Sequence, residues 1–189
     1  MSRMKEQPTI ADIAGHCNEP TAWRIIKQVS DALLEQGPCA VAPCNVTIND
    51  DHFQLVSTDD NRCEGFEAPE CIASQPTEAG SIWSLGATVF FVVMGRQVMN
   101  GEGGKRQKTN SKLPYMRSTW PTLSELVQHC LDFNPENRPT VKELNLKAQQ
   151  ECRRCDEEIR RGPKIKTNST TATTDVQLAT ETSFWPEAF

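Results

Sequence analysis

The chain has no excess of positive charge: 25 acidic residues outnumber 20 basic ones, for a formal charge of −5 at pH 7. That balance gives no overall electrostatic reason to seek a nucleic-acid backbone or an anionic membrane, and neither is expected as a partner. There is also no apolar run of membrane-spanning length. The longest, SIWSLGATVFFVVMG over residues 81–95, falls short of the roughly 20 residues that a bilayer helix requires. The opening MSRMKEQPTIADI holds no continuous apolar stretch and no small-residue cleavage site. A secretory signal is therefore not expected, and the cytoplasm is the expected location.

Without secretion, the eight cysteines are expected as reduced thiols, often buried, rather than as a bridged scaffold. Cys152 and Cys155 in ECRRCDEE form a C-x-x-C, which in other settings holds zinc or runs redox chemistry. No second C-x-x-C or His pair follows to complete such a site. Val141, Leu144, Ala148, Cys152, Cys155 and Ile159 instead recur at spacings of three and four, so both thiols continue the apolar stripe of one helix. No metal and no cofactor is expected.

What is present suits one domain with a tail: 189 residues are enough for a single sizeable core. A first helix is predicted after Asn18 and Glu19, opened by Pro20. Ala22, Ile25, Ile26, Val29, Ala32 and Leu33 form its apolar face, and Gly37 and Pro38 end it. Val46 and Ile48, then Phe53 and Leu55, alternate with polar neighbours, predicting a short hairpin turned at Asn49 to His52. Residues 81–95 are apolar on almost every side, which predicts a central buried helix. Thr122 with Glu125, and Thr140 with Glu143, have the spacing of capping boxes and predict two further helix starts.

The stretch NGEGGKRQKTNSKLP resembles a phosphate cradle only superficially. No Gly lies five residues before Gly104, and Arg106 stands where Ser or Thr would hold magnesium, so a flexible connection is expected instead. After Gly162 and Pro163 the composition turns to Thr, Ser and Asn. Domain boundaries are accordingly set at 1–162 for the folded unit and 163–189 for a disordered Thr/Ser-rich tail. Phe184, Trp185 and Phe189 near its end read either as a docking peptide or as a loose terminus.

GFEAPE, then SIWSLG, then CLDFNPENRPTVKEL, in that order, resemble the C-terminal lobe of a eukaryotic-type serine/threonine protein kinase over about residues 9–150. The resemblance implies a mainly α fold, a kinase-like C-terminal helical lobe with a short β-hairpin, and no N-lobe ahead of it. Ala68, Pro69 and Glu70 match the Ala-Pro-Glu that closes a kinase activation segment. Glu70 is expected to pair with Arg138, and Trp83 and Gly86 match the family's central helix. In kinases a His-Arg-Asp triplet, a Lys two residues on, then Pro and Asn supply the base, a phosphate contact and a magnesium ligand. Here Pro38, Cys39 and Ala40 occupy the triplet, Ala42 the Lys position, and only Pro43 and Asn45 persist. Ser57 starts the segment where the metal-binding Asp-Phe-Gly belongs, although a shifted register offers Asp59 or Asp60. Ser81 replaces the Asp with which the family holds its catalytic loop, a constraint expected to have relaxed.

These substitutions imply a pseudokinase: a non-catalytic protein-binding or scaffolding module with a protein partner, similar in concept to the kinase non-catalytic C-lobe domain. Two alternatives stay open at this point. One is a split half of a kinase with residual ATP binding when an N-lobe is supplied in trans; the other is a degenerate product that binds nothing.

Overall fold

The computed structural model describes residues 7–56, 65–71, 75–107, 116 and 119–162, with Asn100 and Arg106 described by backbone alone. Ser57, Asp59, Asp60 and the 163–189 tail named above lie outside the described residues. Within them the protein is mainly helical, with one two-stranded antiparallel sheet.

Helix α1 spans Glu19–Gln36. It starts where expected because the Asn18 side chain accepts from the Thr21 amide at 2.9 Å, satisfying one free donor of the first turn. Its apolar face is buried through Ala22, Trp23, Ile25, Ile26, Val29 and Leu33. Gly37 ends it at φ +87°, a backbone conformation that favours glycine. Strands β1 (Val46–Asn49) and β2 (His52–Leu55) pair with Val46 opposite Leu55 and Ile48 opposite Phe53. The turn is tighter than expected: Asn49 and His52 pair within the ladder, and Asp50 at φ +54° makes the reversal. An Asp tolerates that left-handed conformation better than most residues.

Each edge of the hairpin is covered at part of its length. The N-terminal segment covers β1, where the Ile48 amide donates to the Pro8 carbonyl at 2.8 Å. On the other side Gln28 of α1 accepts from the Phe53 amide at 2.7 Å. Such covering removes a template for unwanted strand pairing.

Helix α2 spans Glu78–Met94 and is buried on nearly all sides from Gly80 to Val93. It begins three residues before the apolar run because Thr77 caps it, accepting from the Gly80 amide at 3.0 Å. Helix α3 spans Pro121–Cys130. Here the expected Thr122–Glu125 capping box is wrong. Pro121, whose fixed φ and missing N–H suit a first helical position, starts the helix before Thr122 can act as a cap. The second box is real: in α4 (Val141–Arg161) the Thr140 amide donates to Glu143 at 2.9 Å and Thr140 Oγ1 accepts from the Glu143 amide at 3.3 Å.

Helices α1 and α4 run antiparallel, with Glu19 beside Arg154 and Asp31 beside Asn145. The stripe of α4 is buried at Val141, Leu144, Ala148 and Cys155 and half-buried at Cys152, but Ile159 departs from it at 62 % exposure. Polar groups then fix the register. Arg154 reaches Glu19 at 2.6 Å, Glu151 at 2.6 Å and Glu158 at 3.0 Å, while Asn145 donates to Ser30 at 2.9 Å and Asp31 at 2.8 Å. Among the described residues the cysteines are free thiols, and no helix is long and apolar enough to cross a membrane.

Two carboxylates in α4 make stability depend on pH. Burial opposes ionisation of Glu151, but hydrogen bonds from Arg154 and Lys147 outweigh it and hold its carboxyl below the ordinary 4.5. Bonds from the Thr140 backbone and hydroxyl lower Glu143 in the same sense. A depressed folded-state pKa contributes stability that is complete above the unfolded value and lost as pH falls through the folded one. Thermal melts between about pH 7 and about pH 3 are expected to show Tm falling once pH drops below that 4.5. In an E143Q/E151Q variant that acid-side fall is expected to be smaller.

Candidate functional site

The stretch CAVAPCN at 39–45 is irregular to Ala42 and closes in a 3₁₀ turn, Pro43–Asn45, and it is held by a set of hydrogen bonds. Ser81, Ser84 and Thr88 lie three and four residues apart on α2, so they share one helix face. The Cys39 amide donates to Ser81 Oγ at 3.0 Å and the Val41 amide to Ser84 Oγ at 3.0 Å. Thr88 Oγ1 donates to the Val41 carbonyl at 3.1 Å. Extended backbone turns alternate residues to the same side. Residues 39 and 41 can therefore both meet this row of hydroxyls. The expectation that the Ser81 position had relaxed is thus corrected, since a serine there does hold the loop's backbone. A buried amide needs an acceptor whatever the loop does chemically.

Asn45 closes the loop on itself. Its side-chain oxygen accepts from the Ala42 amide and its NH₂ donates to the Ala40 carbonyl, both at 2.9 Å. Asn45 is buried. Ala42 is fully buried, whereas Ala40 faces a notch of about 110 Å³ lined also by Glu67, Ala68, Cys71, Pro76, Gly80 and Ser84. A Cβ at Gly80 would lie 2.3 Å from Cys71 Sγ, so a larger residue there would require the Cys71 side chain to move. Among the described residues lining the notch, only Glu67 and Cys71 are titratable.

Glu70, two residues after the notch-lining Ala68, is brought together with Arg138. The guanidinium makes a two-pronged contact, Nη1 to Oε1 at 2.5 Å and Nη2 to Oε2 at 3.0 Å. It also donates to the carbonyls of Ala79 at 2.9 Å and Asp132 at 2.8 Å. Arg138's side chain is fully buried and Glu70's is 27 % exposed. Trp83 and Gly86 are not at the notch but in the core of α2. A Cβ on Gly86 would come within 2.6 Å of Cys130 Cβ, so glycine sets the closeness of α2 and α3. The Trp83 indole N–H donates to Gln107 at 2.9 Å, and Gln107 donates onward to the Leu131 carbonyl at 2.7 Å.

The glycine-rich stretch is also corrected in its first half. Val98–Gly101 and Gly103–Arg106 form two short 3₁₀ turns. The Gly104 amide donates to the Glu67 carbonyl at 3.0 Å, and a Cβ at Gly104 would fall 2.4 Å from the Pro69 nitrogen. These glycines permit close backbone approach to the Ala68–Pro69 segment. Sequence reading missed this role, and it missed Ser84, Thr88 and Gln107. Hydroxyls spaced three and four apart in an otherwise apolar helix were the available signal.

Burial holds four of the thiols in their protonated form. Burial pushes those of Cys39 and Cys152 up, Cys155 to about 11 and Cys130 to about 12, whereas a reactive or metal-binding cysteine needs its thiolate. Among the described residues no group of three or more His, Cys, Asp or Glu side chains is placed to hold a metal ion. No family model matches the chain, and no curated protein matches it either.

The bonds to Arg138 make a direct test. Arg138→Ala removes the guanidinium bonds to Glu70 and to several carbonyls, and is expected to lower stability by about 3–5 kcal/mol in a denaturant melt. Glu70→Ala is expected to cost less, because its carboxylate is partly exposed and Arg138 keeps its carbonyl partners. Ser84→Ala strips a buried amide of its acceptor and is expected to cost about 1–3 kcal/mol.

Proposed function

We propose that this chain is a kinase-like C-lobe that has lost phosphoryl transfer and serves as a protein-binding or scaffolding module. One observation carries the reading: a loop is locked into place by Ser81, Ser84, Thr88 and Asn45, yet it presents Ala40 where a base is required. Phosphoryl transfer depends on positioning together with charged groups at the phosphates, the metal and the attacking hydroxyl. The loop has the positioning without the charges. Ala40, Ala42 and Cys39 can neither accept the substrate proton nor neutralise a phosphate. The Glu70–Arg138 pair and the glycine clamp on Ala68–Pro69 support the same reading, because they maintain a rigid surface beside the notch.

The covered hairpin bears on where a partner could bind. Pro8 and Thr9 pair with β1, and the 3₁₀ turn Ile10–Ile13 buries Ile10 beside it. The N-terminal segment thus already occupies one edge of the sheet. Binding is left to the helical surfaces and to the notch.

Nucleotide titration separates this reading from a split kinase with residual ATP binding. Ligand at about 100 times its Kd stabilises the folded state by about 2.7 kcal/mol, which in a domain of this size raises Tm by several degrees. The expected result is no magnesium-dependent rise in Tm with ATP and no transfer of labelled phosphate to a peptide. A clear magnesium-dependent rise would instead support the split-kinase reading.

A further inference from the structure

The last turn of α4 leaves apolar surface uncovered. Its stripe is buried as far as Cys155, but α1 begins only at Glu19, and Ile159, next in the stripe, stands exposed. Beside it lies an open cleft of about 480 Å³, lined by Pro20, Trp120, Cys155, Ile159 and Gly162 together with Asn18, Glu19 and Glu158. Arg154 engages both acids, at 2.6 Å for Glu19 and 3.0 Å for Glu158. The cleft therefore offers apolar contact flanked by carboxylates that are already paired.

We propose that this cleft is the docking site of the chain's own segment Phe184–Phe189, FWPEAF, bound in cis. Gly162 both lines the cleft and is the last described residue, so the chain continues from the cleft's rim into residues 163–189. That continuation is rich in Thr and Ser and carries its aromatic residues, Phe184, Trp185 and Phe189, in this one segment. Residues 163–183 connect the two. Fully extended at ~3.3–3.6 Å per residue, they reach on the order of 70 Å, ample for return to the starting point.

Tethering also makes weak contacts sufficient. A flexible linker gives an effective concentration of about a millimolar, so a contact with an intrinsic Kd of about 0.1 mM is occupied roughly nine-tenths of the time. Aromatic side chains supply large apolar area with few rotatable bonds, and Pro186 limits the backbone freedom lost on docking. The segment carries one charged side chain, Glu187, and its other side chains are apolar. This inference does not depend on the kinase-like reading.

Amide hydrogen exchange on the full chain tests it, read by mass spectrometry at about 1 µM and about 100 µM protein. Residues 184–189 are expected to exchange about tenfold more slowly than the same sequence as a free peptide, at both concentrations. Ile159→Asp, and separately F184A/W185A/F189A, are expected to abolish that protection, and the triple variant should also speed exchange in the last turn of α4. Free-peptide rates in the unaltered chain would overturn the proposal, as would protection that Ile159→Asp leaves intact. Protection that vanishes on dilution would identify a second copy as the occupant and overturn docking in cis. If Ile159→Asp fails to fold, as judged by circular dichroism, the triple variant decides: unchanged exchange at the end of α4 overturns the proposal.

Discussion

The guanidinium of Arg138 sits where four pieces of chain converge: the turn at Pro69–Cys71, the start of α2, the end of α3 and the approach to α4. A buried cation is expensive to desolvate, by several kcal/mol even after relaxation. It persists here because its donors are engaged by a two-pronged carboxylate and by carbonyls just past the C-terminus of α3, where the helix dipole is negative. Remove the cation and each of those groups loses a partner at once. Two of those pieces, the turn through Cys71 and the start of α2 at Gly80, also line the notch, so part of its wall depends on the Arg138 charge.

Hydroxyls perform the corresponding task for the loop at 39–45. Neutral Ser and Thr are short, and they hold irregular backbone against an apolar helix without bringing a net charge into the core. Each also returns its own proton to backbone, Ser81 to the Thr77 carbonyl at 3.0 Å and Ser84 to the Ser81 carbonyl at 2.9 Å. The row is therefore fully satisfied, which is the condition under which buried polar groups rigidify a core instead of weakening it. Loop geometry and the chemistry of the loop's own side chains are separable for this reason: the two properties reside in different atoms.

Much of the secondary structure could be read from residue pattern. Asn18 and Pro20, the alternation at Val46 to Leu55, the apolar run at 81–95 and the Thr140–Glu143 box each act locally, through caps and periodicity. Where local signals competed, the reading failed. Pro121 displaced Thr122 as the determinant of the α3 start, and Thr77 extended α2 beyond its apolar run. Ile159 keeps the stripe's spacing but among the described residues has no facing helix, a fact that only tertiary placement reveals. At the site, Glu70 and Arg138 could be named from the motifs around them. Gln107 and Gly104 could not, since what fixes each is a contact with residues at least twenty positions away in sequence, whereas the spacing of Ser81, Ser84 and Thr88 marked a polar face without naming what it holds.

Gln107 carries one last implication. Its amide works in both directions, accepting from the Trp83 indole and donating to the Leu131 carbonyl. Slow hydrolysis of that amide to an acid, the ordinary chemical ageing of glutamine, would leave two oxygens and, when ionised, no proton to give. One oxygen would then face the Leu131 carbonyl across a buried gap, acceptor against acceptor. The join between α2 and α3 would thus loosen with the age of the molecule, from inside the core, without any change in the gene.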